Sequence, residues 1–270
     1  MTASNTQVDK LIRFQRPGRA LPYARSLTDA TVAAIIGTDE TTYVQTIARL
    51  ETQRSRAARE LAGEADVRAQ LDRLPFARGQ RIVAIGESTT ADRLSWFEIL
   101  RVLISSTRQD LELIFENLAI SGATTTQALA GIAAVRYQRP DWLFCLLGTN
   151  DVQRLGTDGL RLVSQRETMR NFQYLHELAQ LPPQAQWVWL TPTLVDERLV
   201  SRFPHFKNAG LVWSNRDIKE VSAGLLGLDG RYIDTSPAFS GHDAHLDDGI
   251  HPTLETQKRL AALVLAQLTR

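Results

Sequence analysis

Five residues in four short stretches have the types and spacing that hydrolysis through a covalent intermediate requires. Ser88 lies in Gly86-Glu87-Ser88-Thr89-Thr90, after a β-prone run and before a helical one. Such a turn presents a hydroxyl at a helix start, with its own N–H unused by the helix. Near the other end, Asp248-Gly249-Ile250-His251-Pro252 places a carboxylate three residues before an imidazole. At that spacing the carboxylate can reach back to the ring, fix its tautomer and stabilise the imidazolium formed when the ring takes a proton from serine. Two further stretches could line an oxyanion hole: Gly122, in Ile120-Ser121-Gly122-Ala123, lets the backbone come close to a reacting oxygen, and Asn150, in Gly148-Thr149-Asn150-Asp151, offers a side-chain amide. Alone, a serine in such a turn is usually a cap, an asparagine closes a turn and a glycine permits one. Together they fill nucleophile, base, orienting acid and donor roles.

These residues must be brought together by elements far apart in the chain. Short β-prone runs at Ile82–Ile85, Leu111–Asn117, Trp142–Leu147, Trp187–Leu190 and Tyr232–Ile233 alternate with helical patterns at Arg93–Ser105, Thr124–Arg136, Leu162–Leu181, Asn215–Leu226 and Leu254–Leu268. Right-handed crossovers make that rhythm a three-layer α/β/α sandwich on a five-stranded parallel sheet, flavodoxin-like in type, with ligands at the carboxyl ends of its strands. Each candidate stretch follows one of these strands or precedes the last helix. From Ser26 to Leu74 the pattern is helical throughout, with Gly63 as a stop. The expected organisation is therefore a helical extension over residues 1–78 and a hydrolase domain over 79–270.

Bulk properties narrow the class. With 270 residues and 43% hydrophobic content, the chain can bury one large α/β core. Lys and Arg total 31 against 30 for Asp and Glu, so the charge of +1 creates no field that would gather nucleic acid or anionic lipid. Cys145, the only cysteine, sits in the apolar run from Trp142 to Leu147 and reads as a buried hydrophobe, so no intrachain disulfide can form. The first twenty residues carry Lys10, Arg13, Arg16 and Arg19 without the apolar stretch of a secretory signal, and no run is long enough to span a membrane. The expectation is a soluble, cytoplasmic protein with neither nucleic acid nor membrane as partner.

The stretch Pro192–Ser214 lacks a clear period. Arg198, Arg202, Phe203, His205, Phe206, Lys207 and Trp213 there resemble a single-strand nucleic-acid surface in composition. Its place after the fourth strand instead favours a pocket rim, with Phe203 and Phe206 as substrate-binding residues. His242, His245, Asp243, Asp247 and Asp248 invite a metal reading, but no helical pair of histidines is present and the expectation is no metal. His176 and His205 read as surface residues, and Asp151 as a support for the Asn150 loop.

The four stretches resemble the blocks of the SGNH hydrolases, also called the GDSL esterase and lipase family, over about Arg81 to Arg270. The resemblance implies that Ser88 is the nucleophile and that its N–H, Gly122 and Asn150 form the oxyanion hole. It further implies that Asp248 and His251 complete the triad, without a cofactor. One position departs from the pattern: Glu87 stands where the family has Asp, an acid that supports the loop. The implied activity is cleavage of a carboxylic ester, with a small soluble ester or an acetylated sugar preferred as substrate. Thioesters and lysophospholipids are the alternatives within the family. The rival from another class is a non-catalytic interaction protein on the same scaffold. The N-terminal helices, outside the resemblance, could cover a sheet edge, shape the acyl pocket or join two copies of the chain.

Overall fold

The computed structural model describes residues 5–21, 27–241 and 243–270. Its frame is a parallel sheet of five strands in the order β2-β1-β3-β5-β7. These are β1 (Arg81–Gly86), β2 (Ile114–Asn117), β3 (Trp142–Leu146), β5 (Gln186–Leu190) and β7 (Arg231–Ile233), while β4 (Arg154–Leu155) and β6 (Leu211–Val212) form a separate antiparallel ribbon. The expected sheet and all five of its strands are present.

The side-chain period of two explains the layers. Ile82, Ala84, Trp142, Phe144, Leu146, Val188 and Leu190 point to one face, where helices Trp96–Thr107 and Leu254–Leu268 cover them. The alternate residues Val83, Ile85, Leu143, Cys145, Trp187 and Trp189 point to the other, under helices Gln165–Ala179 and Asn215–Leu225. Strands buried on both faces must be apolar at every position, as β3 is. Because the chain turns from β1 outward to β2 and then crosses back to β3, the strand order reverses between β1 and β3. A crevice opens above the carboxyl ends of strands at such a point.

The amino-terminal region holds α1 (Asn5–Phe14), α2 (Pro17–Ala20), α3 (Asp29–Ile36), α4 (Glu40–Gly63) and α5 (Ala65–Leu71). The Asp39 side chain caps α4 by accepting from the Thr42 N–H at 2.8 Å, and α4 ends at Gly63 as expected. Ala57, Ala58 and Leu61 of α4, with Val67 and Leu71 of α5, share a core with the sheet. Val8 and Ile12 of α1 pack instead with Val32, Ala33, Tyr43 and Leu50.

Several expectations need correction. The helix expected over Thr124–Arg136 is two, Thr125–Ala130 and Ile132–Gln138, because Gly131 interrupts it. The second strand starts at Ile114, since Gln109–Leu111 forms a 3-10 turn. Pro192–Ser214 is not irregular: Asp196 caps a helix at Glu197–Arg202, Pro204 opens another at Pro204–Ala209, and β6 follows. Among the described residues no helix is long and apolar enough to cross a membrane.

Candidate active site

The candidate nucleophile is positioned by the end of β1. Glu87 is extended, and Ser88 starts a single helical turn, Ser88–Ala91, that closes through Ala91 N–H to Glu87 O at 2.8 Å and Asp92 N–H to Ser88 O at 2.9 Å. That turn is held from three sides. Asn117 Nδ2 donates to Thr90 O at 2.8 Å, Gln257 Nε2 donates to Thr89 O at 2.9 Å, and Arg16 Nε donates to Ala91 O at 3.2 Å. Ser88 is buried to 5% exposure, and its backbone N–H donates to no protein acceptor among the described residues.

Asp248 and His251 meet as their spacing requires. Asp248 Oδ2 lies 3.0 Å from His251 Nδ1, and Asp248 Oδ1 accepts the N–H groups of Ile250 at 3.0 Å and His251 at 2.9 Å. Burial would raise the Asp248 pKa, but the ring and these two amides outweigh it and hold the carboxyl well below the usual carboxylate range. A carboxylate that stays ionised keeps the Nδ1 proton on His251 and leaves Nε2 able to accept one. Gly249 makes the turn possible: its φ is +74°, and a Cβ there would lie 2.6 Å from Asp196 O. The helix Glu197–Arg202 thus rests directly on this loop, with Asp196 N–H donating to Gly249 O at 2.8 Å.

Gly122 and Asn150 lie in turns that a hydrogen bond joins. Gly122 has φ +82° and nothing within 4 Å of where a Cβ would stand, so conformation rather than crowding favours glycine. Its N–H, like that of Ser88, donates to no protein acceptor among the described residues. Asn150 Nδ2 donates to Ala123 O at 3.0 Å, which uses one of the two amide hydrogens and joins its loop to the Gly122 turn. Among the described residues no hydrogen bond joins the Ser88 hydroxyl to the His251 ring. In serine hydrolases without substrate this contact is often long and tightens in the Michaelis complex.

Glu87 supports the Asn150 loop through backbone donors. Its two oxygens accept Thr149 N–H at 3.3 Å and Asn150 N–H at 3.1 Å. Burial pushes its pKa up to about 7, against the opposing pull of those donors. A folded-state pKa raised in this way contributes stability below the unfolded value and loses it as pH rises through about 7. Wild-type protein should therefore lose about 3 kcal/mol across that window that Glu87→Gln retains. Urea unfolding of both proteins between about pH 4.5 and 8 checks this, and a constant gap between them would contradict it. Asp151, wholly buried, accepts Thr125 N–H at 3.0 Å and Thr168 Oγ1 at 3.1 Å, so it pins the same loop.

Phe203 and Phe206 occupy different places. Their rings lie 4.9 Å apart, but Phe206 turns inward against Trp213 at 5.0 Å, while Lys10 Nζ sits 5.1 Å above the Phe203 ring. His245 Nε2 donates to Leu194 O at 2.8 Å, and burial lowers its pKa; His242 lies outside the described residues. His205 is exposed, but His176 is not simply a surface residue, since it packs on Trp187 at 5.0 Å. A surface hollow of about 1280 Å³ lined by Arg81, Ile114, Tyr137 and Asp141 lies at the amino ends of the strands, away from Ser88.

The helical extension expected over residues 1–78 contains α1, but nothing in the sequence places α1 at the site. Arg13 pairs with Asp92 through Nε at 2.9 Å and Nη2 at 2.7 Å, Lys10 Nζ lies 3.4 Å from Asp248 Oδ2, and Phe14 faces the His251 ring at 4.4 Å. Val8, Leu11 and Ile12, at spacings of three and four, give α1 its apolar face.

The family model for GDSL-like lipases and acylhydrolases matches residues 84–259, more than half of the chain. The chain belongs to this family. As a GDSL-like hydrolase it is a serine hydrolase of ester bonds, and its sheet is shared with solved structures. Axe2, an acetylxylan esterase from Geobacillus stearothermophilus, is 20% identical with a TM-score of 0.55, over 72% of this chain and 95% of that one. A variant of Axe2, described as an acetyl-xylooligosaccharide esterase, gives 20%, 0.56, 72% and 95%. LAE5, an α/β hydrolase from the metagenome of Lake Arreo, Spain, is 22% identical with a TM-score of 0.53, over 72% of this chain and 96% of that one. These likenesses establish the fold of the GDSL-like hydrolase. No curated protein matches the chain.

Proposed function

We propose that the protein hydrolyses short-chain carboxylic esters, an acetylated sugar foremost, with Ser88 as nucleophile, His251 as general base and Asp248 as orienting carboxylate. The observation that carries this reading is the 3.0 Å contact between Asp248 Oδ2 and His251 Nδ1, in a loop that Arg13 bridges to the end of the Ser88 turn. His251 Nε2 takes the Ser88 proton as Oγ forms a bond to the ester carbonyl carbon. The carbonyl oxygen, now negative, is met by the N–H groups of Ser88 and Gly122 and by the second hydrogen of the Asn150 amide. The tetrahedral intermediate expels the alcohol, which leaves with the proton held by His251. Water then loses a proton to His251 and attacks the acyl-serine, and the intermediate expels Ser88 Oγ, which takes that proton back from His251 as the acid leaves.

The short acyl group is supported by the crowding of Phe14 on His251 and by the place of Phe203 beside Lys10. The acetylated sugar is supported by what the Axe2 proteins are described as cleaving. A series of p-nitrophenyl esters from acetyl to octanoyl, run beside acetylated xylose, tests both. Acetyl should give the highest kcat/KM, and Phe203→Ala should raise kcat/KM for the longer esters by about tenfold, the scale of one or two methylenes in an apolar pocket. A preference for octanoyl in the wild type, or an unchanged series in Phe203→Ala, would remove this assignment.

A further inference from the structure

We infer that α1 is a working part of the catalytic site, with Arg13 as a positioning residue that ties the nucleophile turn to the histidine loop. The inference rests on the triad reading above. Lys10, Arg13 and Phe14 are spaced by three and four residues, so they share one side of α1. Each touches a different catalytic element. Arg13 grips Asp92, at the end of the Ser88 turn, with two parallel bonds of 2.9 and 2.7 Å, and its Nη2 also reaches Pro252 O at 3.4 Å, next to His251. Phe14, 5% exposed, lays its ring 4.4 Å from the His251 ring. Lys10 Nζ stands 3.4 Å from the Asp248 oxygen that holds His251 Nδ1.

The helix is anchored independently of these contacts. Val8 and Ile12 pack into α3 and α4, and the Arg49–Asp9 pair at 2.9 Å joins α1 to α4 at the surface. The last turn of α1 is tied to the nucleophile segment, since Arg93 donates through Nε to Ile12 O at 2.8 Å and through its backbone N–H to Arg13 O at 3.1 Å. These bonds satisfy carbonyls that a helix end leaves without partners. Asp92 is wholly buried and also accepts Leu94 N–H at 2.8 Å, so it transmits the position of Arg13 to the backbone just past Ser88. A planar guanidinium can hold the Asp92 carboxylate and the Pro252 carbonyl at once, which an ammonium cannot do with the same geometry. Residues 5–14 lie before the family match at 84–259, so this clamp belongs to the chain's own extension.

The test compares full-length wild type, Arg13→Ala, Arg13→Lys and the control Asp9→Asn. The readouts are kcat and KM on p-nitrophenyl acetate, the rate of labelling by a fluorophosphonate, and Tm. Misplacing the reacting groups by about an ångström should cost Arg13→Ala about 10²-fold in kcat and labelling rate, with KM within about threefold. Arg13→Lys should recover about tenfold of that loss, and guanidinium chloride at millimolar concentration should restore part of the Arg13→Ala rate. Asp9→Asn should match wild type. Wild-type labelling and kcat in folded Arg13→Ala would overturn the inference, as would a loss that guanidinium does not relieve and that Asp9→Asn shares. If Arg13→Ala does not fold, Arg13→Lys decides, and a wild-type rate there overturns it. A wild-type protein that does not label at all removes the triad reading instead.

Discussion

Replacing Ser88 with alanine is expected to lower kcat on an acyl ester by about 10⁵-fold and to leave the fold intact. The size of the loss follows from the role: without Oγ there is no acyl-enzyme, and only the donors around the oxyanion and the binding surface remain to assist water. The fold should survive because the Ser88 hydroxyl carries no hydrogen bond to the His251 ring and the turn is held by its backbone and by Asn117, Gln257 and Arg16. Single-turnover kinetics on p-nitrophenyl acetate, with Tm measured on the same samples, check both halves. A burst of p-nitrophenol from Ser88→Ala at the wild-type rate would assign the nucleophile elsewhere.

Asp248→Asn should cost about 10⁴-fold in kcat at neutral pH. Asp248 Oδ2 accepts from His251 Nδ1 and Oδ1 accepts from two backbone amides, so among the described residues every hydrogen bond to the carboxylate except that of Lys10 sets the ring or its loop. An asparagine must turn its NH₂ toward one of these groups. Turned toward Nδ1, it donates to the ring and shifts the proton to Nε2, where it blocks acceptance from serine. The same change has a thermodynamic signature. A carboxyl held below its unfolded pKa contributes stability at neutral pH and loses it as pH falls through the folded value, so the stability gap between wild type and Asp248→Asn should narrow in acid. Kinetics across pH together with urea unfolding measure both, and an Asp248→Asn enzyme within about tenfold of wild type would show that the carboxylate does not orient the base.

Much of this arrangement was legible in the sequence because its parts are local. The Asp248–His251 contact spans three residues, and the glycine at 249 that permits it is adjacent. The apolar run of β3 announces a strand buried on both faces, and Ser88 and Asn150 stand just after the strands expected before them. The substitution of Glu87 for the family's Asp was equally readable: its carboxylate reaches the Thr149 and Asn150 amides, so the longer side chain is accommodated and not idle.

What was not legible depends on contacts between distant segments. Arg13 and Asp92 are 79 residues apart, and Lys10 and Asp248 are 238 apart. Nothing near Lys10, Arg13 or Phe14 indicates that their side of α1 meets the catalytic loops, because charged residues on a short helix usually face solvent. Glu98 is a similar case. Arg101 at 3.0 Å from the same helix, Arg16 at 3.7 Å and Arg19 at 3.8 Å from the start and body of α2, and Arg54 at 4.0 Å from α4 converge on it, and burial beside Arg93 and Arg19 brings the Arg16 pKa down to about 9. The two short helices in Pro192–Ser214 were hidden for another reason: six residues give too little periodicity to read, and only the cap Asp196 and the first helical residue Pro204 mark them.

The central claim is that Ser88, His251 and Asp248 act as one unit, and covalent capture measures it most directly. Full-length protein treated with a fluorophosphonate and analysed by intact mass and peptide mapping should carry one adduct per chain, on Ser88. The adduct should form at least about 10³-fold more slowly in His251→Ala. An adduct on any other residue of the folded protein, or labelling of Ser88 that proceeds unchanged without His251, would contradict it.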